Sequence, residues 1–269
     1  MPEIALRQFA GGSTYIPQLP EPIRVAHLTD LHFGRVTPLA TQRAAVARVN
    51  AAKPDLVVLT GDFVCRSLRY LESLTMVLSG ITAPALAVLG NHDHYCGAAA
   101  VRGALEAAGI AVLENAWTTV GALQVVGLDD AHTGHADIAR ACRGLDTRKP
   151  TLALSHIAEE ADALIARGIP LTLSGHTHGG HLAVGGINRL GLGLLAGHRY
   201  VHGLYGDRAG AGAVYVSAGI GASVMPLRIG ERAQPEVAIF ALGAPPSKDE
   251  HHAEQAPTPG RSLSGWLRR

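Results

Sequence analysis

Charge is sparse in this chain, at 17% of 269 residues, and the two signs nearly cancel to a net +1. Such a balance offers no basic surface for a nucleic-acid polymer, which proteins neutralise through clustered Lys and Arg. Aromatic side chains are scarcer still, at 4%, so aliphatic residues and Ala must fill the core. There are only three cysteines, Cys65, Cys96 and Cys142, and no C-x-x-C pair among them. An odd, unspaced set argues against a disulfide framework or a thiolate zinc site, and fits a reducing compartment. No signal peptide is expected, because Pro2, Pro17, Pro20 and Pro22 interrupt residues 1–22. The uncharged stretch Ala209 to Leu227 is long enough to span a bilayer, yet Gly, Ser and Pro lower its hydrophobicity. It reads as short buried strands with Gly-rich turns. A cytoplasmic protein is expected, with any contact to the inner membrane peripheral.

What is plentiful is histidine, at 14 residues. Its placement follows a repeated unit of apolar run, polar loop and helix-like stretch. Ile23–Thr29 precedes Leu39–Ala52, Asp55–Thr60 precedes Leu68–Leu78, and Ala85–Leu89 precedes Ala98–Ala108. Thr151–Ser155 then precedes Ala158–Arg167, and Leu171–Ser174 completes the set. Continuous rather than alternating apolar runs predict strands buried on both faces, as βαβ connectivity produces. Ala111–Leu113, Thr118–Val120 and Leu123–Val126 read as antiparallel strands around Asn115 and Gly121, with later strands at Ala213–Ser217 and Val237–Leu242. The expected organisation is an N-terminal extension at 1–22, a mixed α/β domain at 23–242, and a Pro-rich, polar, disordered tail at 243–269.

Each of the five main runs ends in residues able to bind a metal. They are Asp30-Leu31-His32, Gly61-Asp62, Gly90-Asn91-His92-Asp93, His156, and Gly175-His176-Thr177-His178-Gly179-Gly180. In an open α/β sheet the carboxyl ends of parallel strands share one rim, where ligands bind. Two carboxylates, one Asn and four imidazoles would meet there. Mixed His and carboxylate ligation suits borderline divalent ions, and so many donors suit two ions sharing a carboxylate. Extended backbone would place Asp30 with His32, and His176 with His178, on one face. Adjacent glycines would let backbone approach closely. A pair of ions about 3.5–4 Å apart would activate a shared water as a bridging hydroxide for in-line phosphoryl displacement.

At these blocks, in this order, the sequence resembles the calcineurin-like metallophosphoesterases over about residues 23–242. Within them it is most similar to a bacterial membrane-associated branch, through PDLVVLTGD, APALAVLGNHDHY, VVGLDD, LSGHTHGGH and PEVAIFAL. That branch includes enzymes cleaving the pyrophosphate of UDP-2,3-diacylglucosamine in lipid A synthesis. The resemblance implies a four-layer α/β/β/α sandwich of two mixed β-sheets. It implies one divalent ion on Asp30, His32, Asp62 and His178, and a second on Asp62, Asn91, His156 and His176. Manganese is the first expectation, with iron, zinc or magnesium as alternatives. His92 would bond a phosphate oxygen or protonate the leaving group.

The second block reads GDFVCRS, so Cys65 stands where Ser/Thr phosphatase relatives carry an Asp supporting that histidine. This speaks against protein-phosphatase activity. It leaves Asp93 as the residue to orient His92, and Arg66 as a phosphate contact. His181 and the Leu-rich stretch Gly185–Gly197 are candidate contacts for substrate and lipid. His27 reads as a core residue, Asp129 and Asp130 as turn formers, and His132 and His135 as solvated loop residues. The expected partner is a phosphate-containing small molecule or lipid, and oligomeric state is left open. The competing class is a metal-free scaffold on the same fold.

Overall fold

The computed structural model describes residues 3–9, 16, 19–180, 198–206, 212–223, 233–244 and 254–255. Two mixed sheets stack face to face. The first runs β1 (Ala5–Phe9), β12 (Glu236–Leu242), β2 (Ile23–Leu28), β3 (Leu56–Thr60), β4 (Ala85–Val88) and β5 (Ala111–Val112). Among the described residues its only antiparallel pair is β12 with β2. The second runs β13 (Glu254–Gln255), β10 (Gly203–Gly206), β11 (Ala213–Val216), β9 (Leu171–Ser174), β8 (Thr151–Leu154), β7 (Leu123–Gly127) and β6 (Ala116–Val120).

The continuous apolar runs have a simple cause. Successive side chains of a strand point to opposite faces, and here both faces are covered. In β3, Val57 and Leu59 pack against α1 (Leu39–Ala51), α2 (Leu71–Leu78) and α4 (Ala98–Ala107), through Ala45, Val49, Leu74, Leu78, Val101 and Leu105. Leu56 and Val58 face the other way, into a core shared with Val125, Leu152 and Leu173 of the second sheet. That sheet is covered outside by α5 (Ile138–Ala141) and α6 (Ala161–Ile165), with Ala141 and Leu164 packed on Val126 and Ala153. The result is the expected four-layer α/β/β/α order.

Three expectations are corrected. Ala111–Val112 joins the first sheet, parallel to β4, rather than an antiparallel set with 118–120. The chain changes sheets at Asn115, which is left-handed at φ 50°. Its amide accepts from the backbone N–H groups of Asp129 and Asp137 and donates to the His135 carbonyl. The supposed N-terminal extension contributes an edge strand, β1, whose Arg7 pairs with the buried Glu236 at 3.1 Å. In the tail, Glu254–Gln255 pairs with Tyr205–Gly206. His181 and the Leu-rich stretch lie outside the described residues. Ala213–Val216, inside the uncharged stretch, forms β11 as expected of a buried strand.

His27 is a core residue on β2. Its Nε2 lies 2.8 Å from Thr60 Oγ1, and its ring meets Tyr215 edge-on at 5.9 Å. Burial pulls its pKa down to about 3, against the opposing charge of Glu236. An unfolded histidine titrates near about 6.5, so between these values the unfolded chain takes up a proton that the folded one refuses. Stability is therefore expected to fall as pH drops from about 6.5 towards 3, by up to roughly 4 kcal/mol from this group. Denaturant midpoints across that range should show the decline, and a flatter limb in His27→Leu. Parallel limbs would remove His27 as the cause.

Candidate metal centre

The ends of β2, β3 and β4 from one sheet meet the ends of β8 and β9 from the other. The loop after β2 lies along the loop after β3, with Asp30 N–H donating to Gly61 C=O and His32 N–H to Asp62 C=O, each at 3.0 Å. Gly221 N–H donates to Asp30 C=O at 2.7 Å, tying in the turn after β11.

All seven predicted ligand residues come together, in two groups. In the first, Asp30 Oδ1 lies 3.5 Å from His178 Nε2 and 3.8 Å from His32 Nε2, and the two imidazole nitrogens are 3.0 Å apart. In the second, His156 Nε2 is 3.2 Å from Asn91 Oδ1, His176 Nδ1 is 3.1 Å from the same oxygen, and the two ring nitrogens are 3.3 Å apart. Asp62 stands between them. Its Oδ1 is 3.4 Å from His156 Nε2 and its Oδ2 is 3.6 Å from His32 Nε2.

The donor set fits divalent cations. Asp30 Oδ1 is buried with no hydrogen-bond partner among the described residues, while Oδ2 accepts from Thr29 Oγ1 and His176 N–H. One oxygen is thus fixed by the protein, and the other faces two imidazoles. His156 Nδ1 donates to the Thr60 carbonyl at 2.7 Å, which leaves Nε2 as its ligating atom. Carboxylate, carboxamide oxygen and imidazole together suit borderline ions.

The charges point the same way. Burial raises the Asp62 carboxyl, but the facing rings of His156, His32 and His92 outweigh it and hold the group far below the usual range. Burial lowers His156, yet Asp62 and Asp30 lift it to about 10. Asp30 rises to about 6, through burial and the nearby charge of Asp62. His176 falls to about 3, through burial and the charge on His156. The buried carboxylates Asp62 and Asp30 thus hold a proton on His156, in the place a cation would take.

The expectation that extended backbone aligns the ligands is corrected. Asp30, His32, Asp62, His176 and His178 all have positive φ, between 43° and 75°. Non-glycine residues avoid this region, at a cost of order 1 kcal/mol or more each, and such strain concentrates at functional sites. The i, i+2 rule fails because the strands have already ended. His176 and His178 consequently serve different groups.

His92 is placed by its backbone, with its N–H donating to Asp62 Oδ1 at 2.9 Å. Its Nε2 lies 4.0 Å from Asp62 Oδ2, and its ring stands edge-on to His32 at 4.9 Å. The expectation that Asp93 orients this ring is corrected. Asp93 Oδ1 accepts from the N–H groups of Phe63 and Val64, and Oδ2 accepts from that of Gly90. It therefore caps α3 (Asn91–Cys96), a short polar helix that periodicity could not reveal, and ties it to the loop after β3. Burial and the charge of Asp62 raise its pKa to about 7. Arg66 is exposed and left-handed at φ 58°, and no described contact joins it to the ligands.

Sequence reasoning missed His198 and Tyr95 at the mouth and read His132 only as a solvated loop residue, which its exposure bears out. His132 and His198 flank His176 at ring distances of 5.5 and 5.1 Å, and Tyr95, 66% exposed, stands 6.3 Å from His92. His94 Nε2 reaches Asp129 Oδ1 at 2.7 Å, so Asp129 anchors α3 as well as shaping its own turn. His132 and His198 come from loops without a motif. Only their histidine identity could have marked them.

The family model for calcineurin-like phosphoesterases matches residues 23–180, more than half of the chain. The chain belongs to that family. This phosphoesterase is 32% identical over 234 residues to the phosphodiesterase YaeI of Escherichia coli, covering 82% of each chain. It is 28% identical to the metallophosphoesterase YkuE of Bacillus subtilis, over 86% of this chain and 82% of that one. A Danio rerio transmembrane protein with a metallophosphoesterase domain is 30% identical, with 81% of this chain matched to 54% of that protein. In the phosphoesterase itself, among the described residues, no helix is long and apolar enough to cross a membrane. Among solved structures, TT1561 of Thermus thermophilus shares the fold at a TM-score of 0.52, with 14% identity over 74% of this chain and 90% of that one.

Proposed function

We propose that this phosphoesterase hydrolyses phosphodiester or pyrophosphate bonds at a dinuclear centre, with a lipid-linked or nucleotide-linked ester as its substrate class. The supporting observation is Asp62, which turns one carboxylate oxygen to each ligand group. Asp30, His32, Asp62 and His178 would hold one ion, and Asp62, Asn91, His156 and His176 the other. When bound, such ions acidify water and neutralise phosphate oxygens.

The protein's own groups do the rest. Asp30 and Asp62, each at most 1% exposed, set their carboxylates in the floor of the site. His92, with its side chain 23% exposed at the mouth, can hold a phosphate oxygen and deliver a proton to the leaving oxygen. His132, His198 and Tyr95 border the space a leaving group would enter. Arg66 has the charge to meet an outer phosphate oxygen. The name of YaeI favours a diester. Pyrophosphate cleavage in UDP-2,3-diacylglucosamine, monoesters and phospholipid head groups complete the series to be assayed. Retention of the whole donor set disfavours a metal-free scaffold.

The test is chelation followed by reconstitution with manganese, iron, zinc or magnesium, read on diesters, monoesters, a nucleotide-linked pyrophosphate and lipid esters. Turnover is expected to vanish with chelator and to return with metal, manganese first. His92→Asn is expected to lower kcat by about 10²–10⁴-fold while the metal content stays that of the wild type. Full turnover after exhaustive chelation would sink the reading.

A further inference from the structure

We propose that His32, Cys65 and His92 form a third cation site, selective for thiophilic divalent ions such as zinc and cadmium, whose occupation shuts down the centre beside it. The Cys65 sulfur and one ring nitrogen from each of the two histidines lie within 4.8 Å of one another. A small rotation of these side chains would close all three atoms onto one ion.

The thiol is held there by backbone and not by the other ligands. Phe33 N–H donates to Phe63 C=O at 2.7 Å, and Cys65 N–H donates back to Phe33 C=O at 3.0 Å. Gly34 makes room, since a Cβ there would come within 3.0 Å of the Cys65 Cβ. The thiol's own hydrogen bond is a weak one to the Ser223 carbonyl, at 3.2 Å.

This donor set differs in kind from the other two. The groups joined by Asp62 offer nitrogen and oxygen alone, whereas one sulfur with two imidazoles selects zinc-like ions over manganese or magnesium. Three protein ligands leave one coordination position for solvent. On binding, a sulfur–metal bond forms and the thiol proton leaves to water, with no change of oxidation state.

The site borrows from its neighbour. His32 belongs to the Asp30 group, and His92 is the ring assigned to the leaving oxygen. A cation seated on Cys65 withdraws both. A centre loaded with manganese would work, and the same centre given excess zinc or cadmium would stall. The inhibitory consequence rests on the hydrolase reading, but the binding itself does not.

The experiment titrates cadmium into the manganese-loaded full-length protein, following the ultraviolet cadmium–thiolate charge-transfer band and the hydrolysis rate together. Wild type and Cys96→Ser are expected to develop the band and lose activity in parallel. Cys65→Ser, with Cys65→Ala as a second variant should the first not fold, is expected to lack the band. Measured against its own manganese-supported rate, it should need at least about tenfold more cadmium for half inhibition. An undiminished band in the Cys65 variants, or inhibition unchanged in them, would overturn the proposal. Absence of manganese-supported hydrolysis in every form would instead overturn the hydrolase reading, and the band would still decide the cation site.

Discussion

Asp62→Asn is expected to lower kcat by about 10³-fold or more and to leave the protein short of its full metal complement. The substitution is nearly isosteric, so what changes is charge and one ligating oxygen. Asp62 Oδ1 accepts the His92 N–H at 2.9 Å, and an asparagine will turn its carbonyl oxygen to that donor. Its NH2 must then face His32 Nε2, where Oδ2 stands at 3.6 Å in the native protein. The Asp30 group therefore meets a donor where it needs an acceptor. The other group keeps an oxygen but loses the negative charge that it shares. The loss of several kcal/mol of charge stabilisation accounts for the expected factor. Metal analysis after reconstitution, beside kcat, is the measurement, with circular dichroism to verify the fold. Two ions per chain and a wild-type rate in Asp62→Asn would remove the bridging carboxylate from the mechanism.

The candidate ligand residues were legible because burial and chemistry conflict at them. A run such as LVVLT followed by Gly-Asp, or LTLS followed by Gly-His-Thr-His, puts polar groups where only an apolar core or a binding site can follow. Five such conflicts in one chain leave little else to explain them. The backbone conformation at those residues was not legible, because Asp30 or His178 at positive φ looks in sequence like any Asp or His. Division of the strands between two sheets was equally silent. Ala111–Val112 and Ala116–Val120 are both short and only partly apolar, and the hydrogen bonds around Asn115 separate them. Asp93 shows the limit of reading roles from neighbours. It adjoins His92 in sequence, yet three backbone N–H groups claim its oxygens, one from Gly90 in the same motif and two from Phe63 and Val64 after β3.

Gly175→Ala carries the second large expected effect, although it alters no ligand and no charge. A Cβ at Gly175 would lie 2.1 Å from Thr29 Oγ1 and 2.3 Å from Asp30 Oδ2. Neither atom can retreat without breaking hydrogen bonds. Thr29 Oγ1 is held by Asp30 Oδ2 and lies 3.1 Å from the Thr60 carbonyl, and both residues are at most 1% exposed. Asp30 has backbone on its far side as well, since a Cβ at Gly219 would already approach its own Cβ to 2.6 Å. The added methyl must therefore rotate the Asp30 carboxylate, swinging Oδ1 away from His32 and His178. Overpacking of this kind costs about 1–3 kcal/mol of stability. The larger effect is on the cation: affinity at the Asp30 group is expected to fall by about 10–100-fold, as when a ligand's support is lost. Gly103→Ala is the control, because Gly103 is exposed within α4 and a Cβ there meets nothing within 4 Å. It should gain about 0.5–1 kcal/mol of stability and bind metal unchanged. Calorimetric metal titration of the two variants separates a general sensitivity to added methyls from a specific one at the centre. Equal affinities in Gly175→Ala and wild type would show that Asp30 is free to move, and that the first ion does not depend on where its carboxylate points.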